Sequence, residues 1–210
     1  MKQLNTYITE YIIKKKLDKP IDSENKYKYF PKTKDELINN IKELFDKGET
    51  DLNCIATNKI TNMADLFFNV RNINFDVSEW NVSNVTNMTN MFYNCSNFKG
   101  KGLENWDVSN VEIFIGMFNY CSNIYDIDFS NWDISNGKYL NSMFFECKKF
   151  KGNGLENWSV GKVKDMSSMF YNCTNFNCDL SNWDISNVKN MSFAFYNCKS
   201  LKNTPSWYKA

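Results

Sequence analysis

Residues 106–121, WDVSNVEIFIGMFNYC, return with small changes as WSVGKVKDMSSMFYNC at 158–173 and as WDISNVKNMSFAFYNC at 183–198. The tryptophans of the chain all lie on this ladder, in steps of 24 to 26 residues: Trp80, Trp106, Trp132, Trp158, Trp183 and Trp207. A phenylalanine ladder runs in phase with the tryptophans, and cysteines follow it three residues later. Registered repetition of this kind is the signature of a repeat architecture.

Each repeat contains a segment that the pattern predicts to be a strand. In Leu103, Trp106 and Val108 the apolar residues stand at i, i+3 and i+5, as in the strand of a leucine-rich repeat. The following residues, 111–118, space apolar positions by three and four, which predicts a short helix or a tight turn. We therefore predict an α/β repeat solenoid, a right-handed leucine-rich-repeat-like stack of about six turns with a parallel sheet on one face.

The ends of such a stack need covers, because a bare end exposes apolar surface and unpaired main chain. Thr33 and Glu36 form a capping-box pattern, and Gly48 is a plausible helix stop. The helix between them has one apolar stripe: Leu37, Ile41, Leu44 and Phe45. The expected organisation is a short amphipathic helix and linker at 1–30, a capping helix at 31–50, and the repeat stack with its C-terminal cap at 51–210.

The first helix, predicted at residues 3–16, is the segment that the stack explains least. Its apolar stripe consists of Leu4, Tyr7, Ile8, Tyr11 and Ile12. Two interpretations remain open at this point: the helix packs on the cap, or it serves as a separate docking tag.

Composition excludes several functional classes. The 25 basic and 24 acidic residues nearly balance, whereas a nucleic-acid binder needs a basic stripe. The chain has no histidine, which removes Ser-His and Cys-His nucleophile pairs and histidine metal ligands. Catalysis needs one asymmetric group of residues with different roles, and positions that recur in every repeat are poor candidates for such a group. We expect no enzyme, no cofactor and no metal site.

The N-terminal sequence MKQLNTYITEYIIKKK carries neither an apolar run of signal-peptide length nor a lipidation cysteine. No stretch approaches the ~18 apolar residues of a membrane span. These observations predict a cytoplasmic protein, with association to a virion as the alternative.

The repeat resembles that of the BspA-like leucine-rich-repeat family, also known as the 25-residue repeat of mycoplasma lipoproteins. The consensus W-D-V-S-N-V-x-x-M-x-x-M-F-x-x-C lies at 106–121, 158–173 and 183–198, with a close copy at 80–95, and the resemblance covers roughly residues 51–208. It implies a leucine-rich-repeat fold, a role in adhesion or protein recognition, and no catalytic residues. Short leaderless proteins of this kind also resemble those encoded by viruses of gut bacteria, which implies a phage or host-interaction role.

The cysteine ladder allows a metal or redox interpretation and a structural one. A straight row of thiols cannot make a tetrahedral zinc site, and parallel Cβ vectors give poor disulfide geometry. Cysteine is also a small residue that is readily buried. We therefore interpret Cys95, Cys121, Cys147, Cys173 and Cys198 as core positions.

The predicted binding surface is the exposed face of the sheet, where strand side chains alternate between inside and outside. Its residues after each tryptophan are Asn81, Asp107, Asp133, Ser159 and Asp184, and those before it are Asn105, Asn131, Asn157 and Asn182. The face is polar and mildly acidic, and it suits a basic or polar protein partner. The alternative is that these side chains satisfy main-chain groups of turns.

A second candidate surface is an aromatic stripe one residue after each ladder phenylalanine. It comprises Tyr93, Phe145, Tyr171 and Tyr196, together with Phe68, and Asn119 is the exception. Such side chains anchor a partner if they reach the surface, and otherwise pack between repeats. The leading hypothesis is a protein-interaction module. The alternative is a structural or virion-associated component that self-associates through the N-terminal helix or the ends of the solenoid.

Overall fold

The computed structural model describes residues 26–209. Within this range there is one α-helix, α1 (Lys34–Asp46), and there are two short 3₁₀ helices, Leu103–Asn105 and Leu155–Asn157. Turns and irregular segments make up the remainder. The helix predicted at residues 3–16 lies outside the described residues.

Helix α1 begins where the capping pattern predicts. The Thr33 hydroxyl accepts a hydrogen bond from the Glu36 N–H at 3.2 Å, and the Glu36 carboxylate accepts one from the Lys32 N–H at 2.6 Å. These contacts satisfy donors that a helix start otherwise leaves free. The apolar stripe of α1 is buried and belongs to the same core as the repeats: Leu37, Ile41, Leu44 and Phe45. Gly48 follows the helix with φ +77°.

The repeats stack directly on one another around a column of phenylalanine rings. Along Phe67, Phe92, Phe118, Phe144, Phe170 and Phe195, successive ring centroids are 5.5 to 5.9 Å apart and the planes differ by 2° to 19°. The first five of these rings are at most 1% exposed. Offset aromatic stacking adds to the free energy of burial, so the column stabilises every contact between neighbouring repeats.

Each ladder phenylalanine lies in a segment that we call a Phe coil. The six Phe coils are residues 63–70, 88–95, 114–121, 140–147, 166–173 and 191–198. Their main-chain amides alternate in direction: the Phe118 N–H donates to Met143 O in the next coil at 2.9 Å, whereas the Asn119 N–H donates to Gly116 O within its own turn at 3.0 Å. Half of the amides therefore join one repeat to the next.

The prediction of an α/β solenoid with a parallel sheet is wrong. Pairing between repeats in the described part of the chain is confined to isolated parallel bridges, such as Asn87 with Ile113 and Ile113 with Tyr139. Each Phe coil contains two residues of positive φ, in the third coil Gly116 and Tyr120, both at +59°. A left-handed residue turns the chain out of the extended conformation, so a bridge cannot grow into a strand.

The strand expected at Leu103, Trp106 and Val108 is also absent, and with it the leucine-rich-repeat strand. Leu103–Asn105 is a 3₁₀ helix that follows Gly102 at φ +84°. All three apolar side chains are buried as predicted. The spacing of these residues correctly predicts that their side chains point into the core. It does not predict a strand, because a turn can direct side chains inward at the same spacing.

The tryptophan ladder contributes hydrogen bonds as well as volume. The Trp132 indole N–H donates to Leu103 O at 2.7 Å, and the Trp158 indole N–H donates to Phe129 O at 3.1 Å. All six tryptophans make this bond to a carbonyl of the preceding repeat. A buried indole needs such a partner, which explains why tryptophan occupies the position.

Candidate functional site

The predicted polar residues on either side of each tryptophan are all exposed. We call them the polar row: Asn81, Asn105, Asp107, Asn131, Asp133, Asn157, Ser159, Asn182 and Asp184. No sheet holds them. They are exposed because the neighbouring tryptophan and valine or isoleucine side chains point into the core, and the chain turns immediately afterwards.

Part of the polar row has a structural task. The Asp107 carboxylate accepts a hydrogen bond from the Ser109 N–H at 3.1 Å, and Asp133 accepts one from the Ser135 N–H at 2.9 Å. Asn81 makes the same bond to Ser83 at 3.0 Å. A short side chain that accepts from the amide two residues later closes an Asx turn. The turn-forming interpretation of these residues therefore has direct structural support.

The turns favour the charged form of two of these carboxylates. The pKa of Asp133 is lowered because the Ser135 N–H hydrogen-bonds the carboxylate, and the pKa of Asp184 is lowered by the Ser186 N–H in the same way. Each carboxylate uses one oxygen, Oδ1, in its turn. The second oxygen, Oδ2, takes no part in the turn, and both residues are exposed, so it can accept from a cationic group.

A shallow groove of about 370 Å³ lies beside Trp106, where the polar row passes from Asp107 to Asp133. It is lined by Glu104, Asn105, Trp106, Asp107, Val108, Asn131 and Asp133. Three of these side chains are carboxylates, and they surround an apolar floor. This combination suits the alkyl stem and charged end of a lysine or arginine side chain.

The predicted aromatic stripe forms a continuous aromatic column on another side of the stack. We define this column as Phe68, Tyr93, Tyr120, Phe145, Tyr171 and Tyr196. Ring centroids are 4.6 Å apart in Phe68–Tyr93, and 4.7 Å in both Phe145–Tyr171 and Tyr171–Tyr196. The rings pack between repeats, yet Tyr196 is 52% exposed. Both proposed roles of the stripe are thus compatible with its geometry.

Tyr120 is a member of the column that the sequence reasoning missed. Its ring lies 5.9 Å from Tyr93 and 5.6 Å from Phe145, edge-on to both, and fills the gap left by Asn119. In this coil the order of the two residues is reversed relative to Tyr93–Asn94. An aromatic residue next to the missing position was the signal that could have revealed it.

The cysteine ladder is part of the core. The thiols of Cys95, Cys121, Cys147 and Cys173 are fully buried, and each donates to the carbonyl of the ladder phenylalanine in the preceding coil. All seven cysteines are free of disulfide bonds. Burial raises the pKa of Cys121 to about 12, so this thiol is protonated at neutral pH.

Residues 26–209 contain no group of three or more His, Cys, Asp or Glu side chains placed to hold a metal ion. In the same range, no helix combines the length and the apolar character needed to cross a lipid bilayer.

Comparison with protein families gives a match over most of the chain. The family model described as "Mycoplasma protein of unknown function, DUF285" matches residues 39–138 and 123–209. Most of the chain therefore falls within this model. Its description agrees with the resemblance to a mycoplasma family that the sequence indicated. No curated protein and no solved structure matches the chain.

Proposed function

We propose that this chain, which belongs to the DUF285 family, is a protein-interaction module without catalytic activity that binds a cationic segment of a partner through the polar row. The observation that carries the proposal is the groove beside Trp106, where Glu104, Asp107 and Asp133 surround a small apolar floor. Lysine and arginine side chains have the matching chemistry.

Hydrogen bonds within the chain itself hold the side chains of this arrangement. Asp107 and Asp133 are fixed by their turns, and the Asn110 and Asn136 amides tie those turns to the preceding repeats, each with a 2.8 Å bond to a serine carbonyl. Groups that are already ordered lose little conformational entropy on binding. A stack of such turns offers an extended array of acceptors along its length.

The structure supplies a substitution that separates charge from folding. Asn81 closes the same turn as the aspartates, so asparagine fits the position. The triple variant Asp107→Asn/Asp133→Asn/Asp184→Asn therefore keeps the turns and removes three charges. By calorimetric titration with a lysine- and arginine-rich peptide, we expect affinity to fall about tenfold, since each exposed ion pair contributes about 0.2–1 kcal/mol.

The matched control is Asp126→Asn/Asp128→Asn/Asp179→Asn, which removes three exposed acidic charges outside the polar row. It should leave the affinity of the peptide nearly unchanged. Equal losses in the two variants would indicate attraction to overall charge, and equal binding by wild type and the polar-row variant would refute the proposal.

A second candidate is a structural, self-assembling component, including a virion-associated one of the kind that the sequence resemblance implies. Phe193 and Tyr196, which are 61% and 52% exposed at one end of the stack, favour it. Sedimentation velocity over a wide concentration range tests this candidate, which requires oligomers that grow with concentration.

A further inference from the structure

One line of equivalent positions changes from neutral to basic along the stack. The main chains at these positions are joined directly: the Lys164 N–H donates to Lys138 O, and the Lys189 N–H donates to Lys164 O, both at 2.8 Å. The same kind of bond links the whole line, which consists of Thr61, Thr86, Glu112, Lys138, Lys164 and Lys189. Three lysines therefore occupy adjacent levels of the stack, with main chains about 5 Å apart.

A fourth lysine lies beside this line, in a ladder of asparagines four residues after each tryptophan. Each ladder asparagine donates to a main-chain carbonyl of the preceding repeat at 2.7 to 2.8 Å: Asn84, Asn110, Asn136 and Asn187. Lys162 occupies the position between the last two, and its ammonium group donates to Asn136 Oδ1 at 2.7 Å. We call Lys138, Lys162, Lys164 and Lys189 the basic column.

Two carboxylates on the same side of the stack are engaged within the chain. Glu112, one level before Lys138, pairs with the ammonium group of that lysine at 2.8 Å. The Asp165 carboxylate accepts from the Ser167 N–H at 2.8 Å and from the side-chain amide of Asn190 at 3.4 Å. The first lysine of the basic column is thus paired by its neighbour.

The other three lysines of the basic column, Lys162, Lys164 and Lys189, are exposed. Like charges directly opposite each other on neighbouring extended segments are destabilising. Folding does not require them, because Thr61 and Thr86 occupy the same line and make the same main-chain bond at 2.8 Å. A repulsive arrangement that the fold can do without is typical of a surface complementary to opposite charge.

We propose that the basic column binds an acidic segment of a partner polypeptide, laid along the stack with its carboxylates over the exposed lysines. Lysine stems are flexible, so the ammonium groups can follow the carboxylates of the segment. The Ser135 N–H and, to a smaller extent, the charge of Lys162 lower the pKa of Asp133, so this carboxylate lies near the column. Asp133 and Asp165 would repel an unbroken row of phosphates, which favours a polypeptide over a nucleic acid.

The chain supplies a neutral residue for each exposed lysine. Lys162→Asn completes the asparagine ladder, and Lys164→Thr and Lys189→Thr copy Thr86. In calorimetric titration of the full chain at low salt, the triple variant should bind a short peptide of alternating glutamate and serine about tenfold more weakly, since three exposed ion pairs are lost. Its urea midpoint should be at least that of wild type, because repulsion between the lysines is removed.

The matched control is Lys151→Asn/Lys199→Thr/Lys202→Asn, which removes three exposed lysines outside the basic column. Asn177 and Thr174 occupy the equivalent positions of another repeat, so these residues fit. The control should bind the acidic peptide nearly as wild type does. The polar-row triple variant should bind it at least as tightly as wild type, so this proposal and that of the polar row can fail independently.

NMR titration of wild type locates the peptide without any variant, and the amide signals of Lys162, Lys164 and Lys189 should shift. Shifts confined to other positions would overturn the proposal. Equal losses of affinity in the two lysine variants would do so as well, since they indicate attraction to overall charge. Tighter binding of a single-stranded DNA of the same charge would identify nucleic acid as the occupant. A lower urea midpoint of the basic-column variant would mean that the lysines serve the fold.

Discussion

The thiol of Cys147 donates a hydrogen bond to the main-chain carbonyl of Phe118, with 2.9 Å between sulfur and oxygen. The same bond recurs from Cys121 to Phe92 and from Cys173 to Phe144. The cysteine ladder therefore joins each Phe coil to the one before it. Protonated thiols are required for this bond, which makes the fold sensitive to alkaline pH.

We predict that the free energy of unfolding falls above about pH 9. The pKa of Cys121 is raised by burial from 9.0 to about 12, and burial also raises that of Cys147 well above its usual value. Between these values the unfolded chain loses thiol protons that the folded chain keeps, so stability falls as pH rises. Each such thiol contributes a slope of up to about 1.4 kcal/mol per pH unit.

Urea unfolding from pH 7 to pH 11 measures this slope. The variant Cys121→Ala is less stable at every pH because it leaves a small cavity, but its slope should be shallower than that of wild type. A slope that is the same in both proteins would contradict the assignment to the buried thiols.

A second prediction concerns the tryptophan ladder. Trp132→Phe keeps an aromatic ring in the stack but removes the indole N–H that bonds to Leu103 O at 2.7 Å. Because the carbonyl is then left without its donor in the core, we expect a loss of about 1–3 kcal/mol in the free energy of unfolding. Trp207→Phe removes the same kind of bond, to Leu180 O, from a half-buried position where water can replace the indole N–H, so it should cost less. Equal losses would show that burial of the carbonyl does not set the cost.

The stack itself follows from the sequence, because residues at a constant period must occupy equivalent environments when repeats pack. Phe118 and Trp132 could be assigned to the core on this ground, and both are buried. The absence of a sheet could not be foreseen. The left-handed position closest to each bridge is occupied in turn by Asp65, Asn90, Gly116, Ser142, Ser168 and Phe193, so no single residue type marks it.

The sequence predicts that the side chains of the candidate site are exposed. It does not predict the hydrogen bonds that these side chains make. Residues beside an inward tryptophan must face outward, and Asp107 and Asp133 do so. Their turns with Ser109 and Ser135 depend on main-chain direction, which the repeat pattern leaves open.

A third prediction separates the backbone cost of a positive φ from steric overlap. Gly48 and Gly154 have φ values of +77° and +85°, yet a Cβ on Gly48 would meet open space, whereas one on Gly154 would overlap the Ser130 nitrogen. Gly48→Ala should cost about 1–2 kcal/mol, the backbone penalty alone. Gly154→Ala should cost more, about 2–4 kcal/mol, because neighbouring main chain must move. Urea unfolding of both variants measures the two losses. Similar losses would show that the main chain around Gly154 shifts at little cost to make room for the added Cβ.

The final prediction tests the reversed order of Asn119 and Tyr120. In the present order, Tyr120 adopts φ +59°, and Asn119 Oδ1 is buried without a hydrogen-bond partner. The double variant Asn119→Tyr/Tyr120→Asn restores the order of Tyr93–Asn94, in which asparagine takes the left-handed position at φ +57°. It should replace the edge-on ring of Tyr120 by a ring in the position that Tyr93 has in its own coil, and stabilise the chain by about 1–2 kcal/mol.

The control for this exchange is Tyr120→Asn alone. It removes the aromatic residue from the positive-φ position, but it opens a gap in the aromatic column and leaves Asn119 Oδ1 without a donor, so its melting temperature should lie below that of the double variant. If the double variant melts below wild type, the neighbouring Gly116 and Asn90 have adapted to the present order. Tyr120 would then owe its position to packing within its own repeat and not to the column.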